Sequence, residues 1–88
     1  MEKVGRSMTV YDLAKELSEM YENADKGDKI AMIHLFGIRY AKVIKEKKLS
    51  AGEIVKNTKL KNGEKFKKSY ITEISKGMRL AKFVTEKQ

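Results

Sequence analysis

With 88 residues and no cysteine, the chain has room for one domain of four or five helices around a modest core held by packing alone, which excludes disulfides and thiolate metal sites. Its formal charge of +8 is lopsided: residues 1–28 carry four basic and seven acidic groups, net −3, whereas residues 29–88 carry sixteen and five, net +11. No run of 18 apolar residues occurs and the first twenty residues are too polar for a signal peptide, so a cytoplasmic protein with no membrane partner is expected.

In chain order, residues 1–8 are expected to be disordered. Val10, Leu13, Ala14, Leu17, Met20 and Tyr21 then recur at spacings of three and four, which predicts a helix over 10–23 with Thr9 as its cap and Asp12 three residues beyond. Its outer face, with Lys15, Glu16, Ser18, Glu19 and Glu22, is polar, and residues 23–27 read as a turn in which Gly27 can take a left-handed conformation. Asp28 is placed to cap a second helix over 29–47, whose apolar run from Ile30 to Ile38 is the centre of the core. Gly37 inside it either permits close helix packing or marks a break between two shorter helices. His34, in the same run, reads as a neutral, hydrogen-bonded core histidine.

Ser50 with Glu53 makes a capping box ahead of a short helix over 51–58. The lysine-rich stretch 59–68 has little to bury except Leu60 and Phe66 and reads as a mobile surface loop. Ser69 can cap a helix over 70–76 that Gly77 would terminate, and Leu80, Ala81 and Val84 predict a last helix over 78–84. The fold class implied is all-α, a compact bundle containing a helix-turn-helix.

A capped short helix, a connection and a second short helix with polar residues at its start are the order of that motif. Ser50-Ala51-Gly52-Glu53 and Ile71-Thr72-Glu73-Ile74-Ser75-Lys76-Gly77 resemble the first helix and the recognition helix of the phage-repressor class of helix-turn-helix proteins, over roughly residues 38–79. The departures are Lys59 where the tight turn normally has glycine, Ser75 where glutamate is usual, and a connection about six residues longer. Met32 to Ala41 is also similar to a group of small bacterial proteins described as helix-turn-helix-like. The resemblance implies double-stranded DNA as partner, transcriptional regulation or an accessory DNA-binding role, and a possible homodimer.

A helix entering the major groove needs short polar or basic side chains at its N-terminal end, and Lys67, Lys68, Ser69, Tyr70, Thr72 and Glu73 stand there. Lys68 suits guanine acceptors and Glu73 the cytosine amino group, while Lys56, Lys65, Lys76 and Arg79 are placed as phosphate clamps. The plain alternatives are a solvated lysine-rich loop and an ordinary exposed helix face. The one histidine cannot build a metal site without help from carboxylates and is no expected general base, and Lys61-Asn62-Gly63-Glu64-Lys65 lacks the second glycine and the lysine-serine pair of a phosphate-cradling loop, so no enzyme, cofactor or metal is expected. Competing readings are a protein-interaction module, with the acidic first helix against a basic partner, and nonspecific binding to polyanions or membrane surfaces.

Overall fold

The computed structural model describes residues 8–84. Four α-helices pack around one core: α1, Val10–Asn23; α2, Lys29–Glu46, entered through a 3-10 turn at Lys26–Asp28; α3, Ala51–Lys56; and α4, Tyr70–Leu80. Leu13, Leu17, Ile33, Phe36, Ile44, Ile54 and Ile74 are fully buried between them. The all-α bundle is as expected; among the described residues the only β pairing is one antiparallel bridge between Lys59 and Lys65. The disorder expected for residues 1–8 lies outside the described residues except at Met8, which packs against the core.

Two helices begin where their local chemistry puts them. The Thr9 hydroxyl accepts from the Asp12 N–H at 3.2 Å while the Asp12 carboxylate accepts from the Thr9 N–H at 2.9 Å. Ser50 and Glu53 repeat this box at the start of α3, at 3.1 and 2.9 Å. Asp28 and Ser69, the other two expected caps, make no side-chain cap bond. Both backbones (ψ 4° and −20°) are far from the extended conformation that aims a capping side chain back at the first turn. Gly27 is not left-handed either; it lies inside the 3-10 turn. Instead the Lys29 ammonium closes α1, donating to the carbonyls of Tyr21 (2.7 Å) and Ala24 (3.1 Å) from a position over the Tyr21 ring, where a cation also meets the negative end of the helix dipole.

Helix α2 runs unbroken through Gly37 and ends in a Schellman turn: Lys48 takes a left-handed φ of 56°, and the Leu49 N–H reaches back to the Ile44 carbonyl at 3.0 Å. Helix α3 stops at Lys56 rather than Thr58. The Thr58 hydroxyl donates to the Ile54 carbonyl at 2.6 Å and the Thr58 carbonyl accepts from Phe66 at 3.3 Å, so Thr58 already begins the next element.

That element is a pinned hairpin, not the mobile loop expected over 59–68. Leu60 N–H bonds to Glu64 O at 2.9 Å across a three-residue turn, and Gly63 takes the left-handed position (φ 88°) that this turn demands. Phe66 is buried against Tyr21, with ring centroids 5.0 Å apart. The outer strand is tied to α1: Ser18 donates to the Lys59 carbonyl at 2.7 Å, and Glu22 accepts the Lys61 N–H at 2.7 Å.

Gly77 does not terminate a helix, and no separate helix spans 78–84. Helix α4 continues through Gly77 to Leu80 and ends in a turn. The reason is the crossing of α2 and α4, where backbone meets backbone. A Cβ on Gly37 would lie 2.5 Å from the Ile74 carbonyl oxygen and 2.9 Å from the Gly77 Cα, and one on Gly77 would overlap the His34 carbonyl. Neither obstacle is a side chain that can rotate away. Gly77→Ala is therefore expected to destabilise the fold by about 3 kcal/mol or more, since overpacking against rigid backbone forces the helices apart. Gly27→Ala, whose added methyl meets open space, is the control and should stay within about 0.5 kcal/mol. Denaturant midpoints of the two variants check this.

Candidate nucleic-acid interface

Each residue of α4 turns 100° from the last, so Ser69, Thr72, Lys76 and Arg79 form one stripe opposite the buried Ile74, and all four are exposed. The structure also brings together three lysines that are far apart in sequence. Lys56 from α3, Lys65 from the hairpin and Lys68 at the entrance of α4 line an open groove of about 420 Å³ floored by Val55, Phe66 and Ile71. The groove adjoins the first turn of α4, which has no side-chain cap. The first two N–H groups of that turn, of Tyr70 and Ile71, are bonded instead to the carbonyls of Lys67 (3.1 Å) and Lys68 (3.0 Å).

Two of the sequence-derived candidates are turned elsewhere. Tyr70 is half-buried: its hydroxyl lies 3.2 Å from that of Tyr21, and its ring packs on Phe66 with centroids 5.1 Å apart. The bond to Tyr70, with burial, pushes the Tyr21 phenol up to about 12. Lys67 is exposed beside it, its ammonium 6.0 Å from the Tyr70 ring centroid.

Glu73 faces α2. Its carboxylate lies 2.6 Å from His34 Nε2 and 3.6 Å from the Lys76 ammonium, with 23% of its side chain accessible. His34 itself is not the buried core histidine expected; its side chain is 31% exposed and serves as the partner of Glu73. The signal was present in the spacing, since the stripe Ile33, Phe36, Tyr40 and Ile44 that fills the core leaves position 34 on its flank. The bond needs a proton on Nε2, which either the imidazolium or the Nε2–H tautomer supplies. One oxygen of Glu73 is thus engaged by His34 and the other lies near Lys76.

This pairing has an electrostatic consequence. From Lys65 to Val84 the chain holds six cationic side chains and one carboxylate, Glu73. With that carboxylate turned toward His34 and Lys76, the stripe Ser69–Thr72–Lys76–Arg79 presents no negative charge. The hydrogen bond from His34, with help from Lys76, holds the Glu73 carboxyl below its ordinary value of 4.5. A depressed carboxyl pKa contributes stability above the unfolded value and loses it as pH falls through the folded one. Glu73→Gln should therefore be less stable than the wild type at neutral pH, with the gap closing as pH drops below the ordinary carboxylate range. Thermal melts of both proteins between about pH 7 and pH 3 measure it.

Among the described residues there is no cluster of histidine, cysteine and carboxylates able to hold a metal ion, and no helix long and apolar enough to cross a membrane. A family model described as an HTH-like domain matches residues 9–87, nearly the whole chain. Neither a curated protein nor a solved structure matches it.

Proposed function

The chain belongs to the HTH-like domain family, and on that premise we propose that it is a non-catalytic DNA-binding protein, a transcriptional regulator or DNA-binding accessory subunit, that lays α4 in the major groove of duplex DNA. The observation that carries this reading is the acid-free outer stripe of α4, beside a groove lined by Lys56, Lys65 and Lys68. Ser69 and Thr72, at the N-terminal end, are the readers of base edges, with Lys68 able to reach guanine acceptors. Lys76 and Arg79, one and two turns further on, clamp phosphates, and the groove lysines hold the backbone on the flank. Glu73 has no part in base contact here; it positions α4 against α2. The carboxylates of α1 lie on a surface that repels the duplex, so α1 faces away from it.

Titration of random and site-enriched duplexes tests the reading. About five phosphate contacts should give a log–log salt slope near −4 to −5. Arg79→Ala should weaken all sequences alike and flatten that slope by about one, whereas Thr72→Ala should narrow the gap between preferred and random duplexes by about 1–3 kcal/mol. No binding at about 50 mM salt would overturn the proposal, since counterion release is then strongest.

A further inference from the structure

The tip of the hairpin carries a reactive pair. Asn62 and Gly63 are both exposed there, and Gly63 is the one glycine in the chain that follows an asparagine. The backbone nitrogen after an asparagine can attack that residue's side-chain carbonyl carbon and close a succinimide ring. A side chain on the following residue hinders the attack and a bare glycine does not, so Asn23 before Ala24 and Asn57 before Thr58 are the slower positions. In the closed hairpin both reacting groups are held. The Gly63 N–H donates to the Leu60 carbonyl at 2.9 Å, and that proton must leave before the nitrogen becomes a nucleophile. Asn62 Oδ1 accepts from the Glu64 N–H at 2.9 Å, which fastens the side-chain amide to residue 64. That bond also draws electrons from the carbonyl carbon, but it does so only in a turn whose Gly63 nitrogen is still protonated. The turn is anchored to α1 through Ser18 on the Lys59 carbonyl and Glu22 on the Lys61 N–H.

We propose that Asn62 is a deamidation site gated by the hairpin, protected while the turn is closed and modified when it opens locally. In the open form hydroxide takes the Gly63 amide proton and the nitrogen bonds to Asn62 Cγ. The Cγ–Nδ2 bond breaks, and ammonia leaves with a proton from water, which regenerates the hydroxide. Water then opens the succinimide. Attack at the side-chain carbonyl leaves aspartate; attack at the main-chain carbonyl leaves isoaspartate, whose backbone runs through Cβ and Cγ and is one carbon longer. Either product places a new carboxylate between Lys61 and Lys65, next to Glu64 and near the Glu22 that holds the Lys61 N–H. The longer isoaspartate backbone cannot rebuild the three-residue turn, so opening leaves a permanent mark on the chain.

The test uses the full chain free of nucleic acid, so its outcome is independent of the DNA reading. The native protein, the same protein in denaturing urea, and a Ser18→Ala, Glu22→Ala double variant are incubated at mildly alkaline pH. Digests are followed by mass spectrometry for the change from amide to acid, with isoaspartyl and aspartyl peptides separated by chromatography. In urea Asn62 should convert well ahead of Asn57 and give both products. The native protein should convert at least about tenfold more slowly, because only locally opened chains react. The double variant, which keeps its helical circular dichroism, should convert Asn62 several-fold faster than the native protein and leave Asn57 unchanged. An Asn62 that stays intact in urea, a native rate equal to the rate in urea, or a folded double variant no faster than the native protein would overturn the proposal. The comparison of native and urea-treated wild type decides it even where the double variant unfolds.

Discussion

The contact of Gly37 with Gly77 is the constraint on which the remaining arrangement depends. With two hydrogens where side chains would stand, α2 and α4 approach until the Ile74 and His34 carbonyls sit against the opposite helix. That distance leaves room for no other residue at either position, and it fixes the rotation of α4 about its axis. Ile74 is sent into the core, Glu73 is brought to His34, and the stripe from Ser69 to Arg79 is left outward. A glycine in mid-helix costs about 1 kcal/mol of intrinsic propensity. The burial of Ile33, Phe36 and Ile74 around the crossing offsets it, at about 1.5–3 kcal/mol for each fully buried large side chain.

A second constraint holds the connection between α3 and α4. A stretch this rich in lysine repels itself and has little apolar surface to bury, so without partners it would be a poor element. Phe66 supplies an anchor against Tyr21 and Tyr70, and α1 supplies polar ties through Ser18 and Glu22. Two of the residues that make α1 look merely polar are thus the ones that hold the hairpin. The result places Lys65 and Lys68 beside Lys56, three cations drawn from three elements, with Phe66 beneath them.

The charge asymmetry of the chain becomes a spatial one through these two constraints. The carboxylates of α1 and the following turn surround Met20 and Met32, while the cations of α3, the hairpin and α4 gather on the other elements. On α4 itself the one carboxylate, Glu73, is withdrawn into an ion pair. Carboxylates gathered around α1 and cations around α4 give so small a molecule a field with direction as well as sign, which bears on how a polyanion approaches it.

What the sequence determined by itself is whatever rests on interactions within a few residues. The spans of α1 and α2, the capping boxes at Thr9 and Ser50 and the buried stripe of α1 were legible because periodicity and caps act over three or four positions. The Asn62-Gly63 pair was a hairpin signal, but strands this short and this rich in lysine carry no alternation to support it. Tertiary structure decided the rest. Gly77 has the sequence position of a terminator and Gly37 that of a possible break, and only the partner helix shows that both are crossing points. His34 and Glu73, 39 residues apart, could not be paired in advance, nor could Glu22 with Lys61 at the same separation or Ser18 with Lys59 at 41. The reason is physical: a side chain's local pattern states which face of its helix it occupies, whereas its partner is set by how closely and at what rotation two helices meet.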